Sequence, residues 1–288
     1  MPYPYNGGLM SKLSCCPWHV APHRMEPFIL YPPQGQAVPI VANLPHSGMV
    51  VPEAIAAQFT RTRLQSLPNT DWHLDQLYRS LPALGITVLQ ATHSRYVVDL
   101  NRPLQDPIFG NFWASVIPEQ TAFGQPIYAT MPSPEQLKER IETFYTPYHQ
   151  KLKAILDAKI AAFGKVYLLD LHSFFGPITE AICLGDRNGK TCSEFLITTV
   201  EKQFSRYYPV VRNKVFNGGY ITGHYGQMTG VEALQIEVHY HTYLNEDELE
   251  RSQPPTWSVP KFAAAKQTID TIFAAIVQDL KADAIALQ

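Results

Sequence analysis

Cysteine is scarce in this chain: four residues in 288, of which Cys15 and Cys16 are adjacent. Neighbouring cysteines suit neither an ordinary disulfide framework nor a Cys-x-x-Cys metal knuckle. With Cys183 and Cys192 they point to a reduced, cytoplasmic setting. An excess of one charge is also missing, since 23 basic and 25 acidic side chains leave a formal net charge of -2. Nothing is available to neutralise a row of phosphates, which argues against nucleic-acid binding. No run of about 18 uninterrupted apolar residues occurs, so no membrane-spanning helix is expected. The N-terminal stretch MPYPYNGGLMSKLSCCPWHV lacks the sustained apolar core of a signal peptide.

What is present is an ordinary globular balance, 45% hydrophobic and 17% charged, in a chain long enough for one well-buried core. Residues 1–37 are rich in proline, glycine and aromatics without a clean period, and read as an irregular N-terminal extension. Residues 38–288 read as a single domain. Within it, VPIVANL (38–44), ITVLQA (86–91), YVVDL (96–100), VYLLDLH (166–172), EAICLG (180–185), YPVVRN (208–213) and ALQIEVH (233–239) have the short, β-branched character of strands. Asp71 to Leu81 has helical spacing, with Leu74, Leu77, Tyr78 and Leu81 on one face. A long helix is expected from Pro134 to Phe163, with Ser133 as N-cap and a kink or break at Pro147. Further helices are expected over Ser193 to Phe204 and Lys261 to Leu280. The alternation predicts an α/β fold with a parallel or mixed central sheet flanked by helices. In such sheets reactive groups collect at strand C-termini.

His46 and His172 each follow an apolar strand pattern, the place where a side chain points into a crevice. Two neutral imidazoles and a carboxylate make a three-ligand zinc site with an open position for water. Core histidines bonded to backbone would look the same at this stage, and both readings stand. Glu237 lies between Ile236 and Val238 in an otherwise apolar strand. A buried carboxylate without a partner is costly, so it needs either an interior arginine or a chemical task. Arg95 and Arg102 bracket YVVDL, where guanidinium groups line a pocket and can grip a carboxylate bidentately. Asp99 would orient them. GGYITGHYG (218–226) offers glycines for close backbone approach, with His224 and Tyr225 as hydrogen-bonding groups, or else a structural turn. GDRNGKTCS (185–193) carries an Asn-Gly turn signal and Arg187, a candidate ligand contact on a mobile rim.

PHSG (45–48), TDWHLDQLY (70–78), SRYVVDLNRP (94–103), DLHS (170–173), GGYITGHYG (218–226) and ALQIEVHYHTYLNE (233–246) occur in this order. Together they resemble the N-formylglutamate amidohydrolase family, over nearly all of residues 38–245. That family is similar to the zinc carboxypeptidases and aspartoacylases, so the resemblance implies a zinc-exopeptidase-like fold. The wider superfamily takes its first two metal ligands from His-x-x-Glu, but Met49 stands at the glutamate position here. The resemblance instead implies Asp71 as the carboxylate ligand, with His46 and His172, holding one zinc or other divalent ion per chain. A carboxylate stabilised by a helix N-terminus is the alternative for Asp71.

By the same resemblance Glu237 is the general base, and Asn101 with Arg102 matches an Asn-Arg pair that holds a substrate carboxylate. Arg95 would clamp a second carboxylate or polarise the scissile carbonyl. The implied reaction is hydrolysis of N-formyl-L-glutamate to formate and glutamate, as in histidine degradation, with a small acidic N-acyl amino acid as the partner and neither nucleic acid nor membrane. A deacylase of another N-acyl amino acid and a non-catalytic binding relative are the alternatives.

Overall fold

The structure, a computed structural model, describes residues 20–21, 25–176, 178–249 and 254–286. Cys15 and Cys16 fall outside these residues, and Cys183 and Cys192 are free thiols. The main sheet is built from seven strands: β1 Phe28–Tyr31, β2 Ile40–Leu44, β3 Thr87–Ala91, β4 Val166–Phe174, β5 Ile182–Gly185, β6 Val210–Arg212 and β7 Val231–His239. Their spatial order is β6-β5-β7-β4-β2-β3-β1, parallel except for the β1–β3 and β5–β7 pairs. The sheet is therefore mixed, as expected. Every residue of β2 and β4 is buried, the mark of strands covered on both faces. Among the described residues, no helix is long and apolar enough to cross a membrane.

Three expectations need correction. YVVDL is not a strand. Residues 95–97 form a turn, closed by the Val97 N–H donating to Ser94 O at 2.8 Å, and Asp99 N–H donates to Val116 O at 2.6 Å. The segment is apolar because it is wholly buried, and burial without periodicity does not distinguish a core loop from a strand. The helix expected from Asp71 to Leu81 shrinks to α1, Leu74–Leu77, followed by a tighter turn at Leu81–Leu84. Asn69 and His73 both take positive φ, 61° and 56°. They bend the chain so that Asp71 lies outside the helix, its N–H donating to His46 O at 3.2 Å. A helix-terminus role for Asp71 is thereby removed. Third, the described part of residues 1–37 is not all irregular, because Phe28–Tyr31 pairs with β3 at the sheet edge.

The long helix does not break at Pro147. Helix α2, Pro134–Arg140, runs through a π-helical turn at Ile141–Tyr145 into α3, Thr146–Phe163. The wider turn accommodates a residue without N–H and with a ring that would clash with the preceding turn. Ser133 caps α2 in a capping box with Gln136. Helix α3 lies against the central strands, where Tyr148 OH donates to Asn43 Oδ1 at 2.6 Å. Helix α4, Glu194–Phe204, begins at the Ser193 cap. The short α5, Tyr220–Tyr225, precedes β7, and α6, Pro260–Ala286, packs on α4 through Phe204 and Phe273.

After β2 the chain passes close to the segment after β3, where Val50 and His93 form an isolated parallel bridge. Gly48 permits this approach: a Cβ there would sit 2.4 Å from His93 O and 2.5 Å from Thr92 C. Both are backbone atoms and cannot rotate away. Gly48→Ala should therefore destabilise the fold by about 1–3 kcal/mol, the usual cost of overpacking. A thermal melt of the variant checks this, and an unchanged Tm would show that the two segments part freely.

Candidate active site

The expected metal ligands converge. His46, Asp71 and His172 are all buried, and one ligand atom from each lies within 4.8 Å of the others. His172 Nδ1 is 3.0 Å and His46 Nδ1 3.8 Å from Asp71 Oδ2. Ligands about 2.0–2.2 Å from a tetrahedral ion stand roughly 3.4 Å apart, within the spread seen here. His46 sits two residues past β2, His172 near the end of β4, and Asp71 on the bent segment before α1.

Each imidazole turns its other nitrogen to a buried carboxylate. His46 Nε2 is 2.7 Å from Asp99 Oδ1, and His172 Nε2 is 3.2 Å from Asp170 Oδ1. Such outer carboxylates fix ring orientation and strengthen a histidine as a metal donor. Asp99 is itself gripped by Arg95, through Nε at 3.1 Å and Nη2 at 2.6 Å. Burial alone would raise its pKa, but Arg95, His46 and Arg102 hold it well below the ordinary carboxylate value. Asp170 accepts from Asn43 Nδ2 at 2.8 Å and Thr222 Oγ1 at 3.1 Å.

The two rings differ in charge. Burial, assisted by Arg95, lowers the His46 pKa to about 4, so it stays a neutral donor near neutrality. His172 is squeezed between Asp170 and Asp71, which overcome the desolvation penalty and raise it well above the ordinary histidine value. Without a bound cation it carries a proton that a metal must displace.

Glu237 stands beside His172, its register partner on the adjacent parallel strand. One carboxylate oxygen, Oε1, accepts from Gln235 Nε2 at 2.7 Å. The other, Oε2, is buried with no partner among the described residues. Burial, with help from Asp71 and Asp170, pushes the Glu237 pKa up to about 8, against the pull of His172 and Arg95. No interior arginine forms an ion pair with it among the described residues.

These groups open into a cavity of about 640 Å³, lined among others by Arg95, Asn101, Arg102, Gln235 and Glu237. Arg95 Nη1 donates to Asn69 O at 3.1 Å, so its guanidinium is turned towards protein groups on two sides. Arg102 donates through Nε to Phe112 O and through Nη1 to Asn101 O. Its Nη2 has no partner among the described residues. Burial lowers the Arg102 pKa, with Asp99 acting against it and Arg95 with it. Asn101 faces the protein as much as the cavity: Oδ1 accepts from Ile221 N–H at 2.8 Å, and Nδ2 lies 3.3 Å from His172 Nε2.

Three expected ligand contacts do not line this cavity. His224 is exposed on α5, and its ring stacks on Tyr220. Tyr225 is buried, its OH paired with His149 Nδ1 at 2.9 Å. Arg187 lies behind the loop that lines the cavity, with Nη1 donating to Gly219 O at 3.3 Å. Gly218 and Gly219 precede the six-residue α5 and line the cavity, whereas His224 and Tyr225 end that helix outside the lining. His73 is tied to Pro255 O at 2.6 Å and is also not a lining residue.

Asp170, Gln235 and the aromatic residues of the cavity wall were not anticipated. The first two had a readable signal, since each stands two residues before a chosen residue of the same strand and so shares its face. Phe174, two residues after His172 at the end of β4, shares that face as well, whereas the other aromatics sit on loops and had none.

Replacing Asp99 by Asn should weaken divalent-metal affinity by about 10–100-fold, because His46 loses its charged partner. Titration calorimetry of metal-stripped protein measures this directly. Because the ion must expel a proton from His172, affinity in the wild type should fall about tenfold per unit as pH drops below neutrality. A pH-independent affinity would show that His172 is already neutral.

A family model described as N-formylglutamate amidohydrolase matches residues 38–244. A protein from Pseudomonas putida described as N-formylglutamate deformylase is 33% identical over 225 residues, 73% of this chain and 84% of that protein. Its counterpart in Pseudomonas aeruginosa is 34% identical over 223 residues, 73% and 83%. The crystal structure of N-formylglutamate amidohydrolase from Ralstonia eutropha JMP134 superposes with a TM-score of 0.76 at 28% identity, covering 90% of this chain and 100% of that one. A gene product of Agrobacterium tumefaciens shares the fold at 17% identity, with a TM-score of 0.65.

Proposed function

The chain belongs to the N-formylglutamate amidohydrolase family, and on that premise we propose that it hydrolyses N-formyl-L-glutamate to formate and L-glutamate. The observation that carries this reading is the unpartnered Glu237 Oε2, buried beside His172 and open to the cavity that holds the His46, Asp71 and His172 cluster. A structural carboxylate would have acquired a partner; a proton acceptor must keep one oxygen free.

The donor set of two imidazoles and one carboxylate suits zinc, one ion per chain, with a coordination position left open. When bound, the ion supplies positive charge that polarises the formyl carbonyl and makes water easier to deprotonate. The protein's own groups do the rest. Arg102 holds a substrate carboxylate through its free Nη2, with Asn101 fixing the loop beside it. Glu237 Oε2 accepts a proton from the attacking water as the new C–O bond forms. It then delivers that proton to the departing amine nitrogen as the C–N bond breaks. Desolvation raises the Glu237 pKa, and a cation held by His46, Asp71 and His172 would act on it in the opposite direction. Arg95, braced by Asp99, adds positive charge where the carbonyl oxygen becomes negative. Arg187, His224 and Tyr225 act at a distance, by holding the 218–226 segment whose Gly218 and Gly219 line the cavity.

Formate release from N-formyl-L-glutamate by the metal-loaded protein tests the activity itself. Glu237→Gln should keep its metal while kcat drops about 10²–10⁴-fold; an undiminished kcat would remove Glu237 as base. Arg102→Ala should lower kcat/KM by about 10²–10³, the loss of one or two charged hydrogen bonds. Arg102→Lys should recover only part, for want of the planar fork.

A further inference from the structure

Six aromatic side chains line the cavity: Phe112, Trp113, Phe123, Phe174, Phe175 and Phe216. They come from two places. Phe112, Trp113 and Phe123 belong to the long segment between β3 and α2, whereas Phe174 ends β4, Phe175 follows it and Phe216 lies between β6 and α5. Trp113 is 59% exposed, Phe123 69% and Phe175 57%, so the core does not require them. Large apolar side chains gathered in water around one opening mark a ligand or partner surface.

The charge on the same walls is limited. Arg95 is neutralised by Asp99 and held by Asn69, and no lysine lines the cavity. Arg102 Nη2 is the guanidinium nitrogen left for an anion, enough for one carboxylate. Every amino-acid substrate brings an α-carboxylate, which takes that place. The substituent on the α-carbon then meets aromatic surface, because Arg95, the other arginine of the lining, is already bonded to Asp99 and Asn69 O. The space is generous, since about 640 Å³ falls within the roughly 300–1,000 Å³ that encloses drug-sized ligands.

We infer that the aromatic mouth is the side-chain subsite, and that the enzyme takes N-formyl amino acids with large apolar side chains, N-formylphenylalanine as the type, besides N-formylglutamate. The inference rests on the amide-hydrolysis reading above and specifies the substrate class of that site.

The test compares kcat/KM of the metal-loaded protein on N-formylphenylalanine, N-formylalanine and N-formylglutamate, in the wild type and in Trp113→Ala and Phe175→Ala. N-formylphenylalanine should exceed N-formylalanine by about 10–200-fold, the range a hydrophobic pocket earns from added apolar groups. Each variant should lower the phenylalanine-to-glutamate ratio by about tenfold or more. Both side chains are over half exposed, so the variants should remain folded, which a melting curve verifies. Activity on N-formylglutamate with no gain from the phenyl group would overturn the inference and leave the proposed function standing. So would a substrate ratio indifferent to both variants. Formate release from none of the three, with metal bound, would defeat the proposed function and this inference together.

Discussion

The pairing of β4 with β7 is the constraint on which the site depends. Parallel strands stand about 4.8 Å apart with their register partners on the same face, so His172 and Glu237 are neighbours by backbone geometry alone. The same ladder places Asp170 opposite Gln235, two residues earlier. Each then braces the functional residue of its own strand: Asp170 behind His172, and Gln235 donating to Glu237. A candidate metal ligand and a candidate base thus share one rigid support and need no loop to bring them together. The less regular parts of the structure, Asp71 on its bent segment and Asp99 on a buried turn, are arranged around that support.

Four buried acids, Asp71, Asp99, Asp170 and Glu237, crowd this region, an expensive arrangement unless each charge is answered. Asp99 is answered by Arg95 and His46, and Asp170 by Asn43, Thr222 and His172. Asp71 faces the two imidazoles. Glu237 has only an amide on one oxygen. Burial, with Asp71 and Asp170 nearby, raises its pKa to about 8. A divalent cation among the His46, Asp71 and His172 donors would offset the surplus of negative charge at its centre. Local rules broken at one place, where the rest of the fold obeys them, are a recurrent sign of a functional site.

Met49 stands where a glutamate ligand of the wider superfamily would be expected, and the structure supplies a carboxylate from elsewhere. Asp71 reaches the cluster because Asn69 and His73 adopt left-handed backbone, a conformation that costs about 1–2 kcal/mol per non-glycine residue. Both are held in it. Asn69 O accepts from Arg95, and the His73 side chain is anchored on Pro255 O. The bend that ended the expected helix early is therefore the feature that brings the Asp71 carboxylate to the two imidazoles. It also explains why helical spacing in TDWHLDQLY was a poor guide: the leucines face the core whether or not the first turn is helical.

The chain by itself marked six strands of the sheet as apolar, β-branched runs, a pattern that the buried YVVDL segment shares without being a strand, and it put His46, His172 and Glu237 at or near strand ends. Period-two patterning and the cost of burying a carboxylate are local properties, legible one segment at a time. The alternation of strands and helices likewise fixed a sheet flanked by helices, and Ser133 and Ser193 marked helix starts through cap chemistry. Only the tertiary structure decided that His46, Asp71 and His172 converge, that Asp99 and Asp170 stand behind the two rings, and that Arg187, His224 and Tyr225 turn from the cavity. It also decided that YVVDL is a buried turn and that aromatic loop residues surround the opening. Distances between segments far apart in the chain depend on strand order and loop path, and neither is written in the period of any one segment.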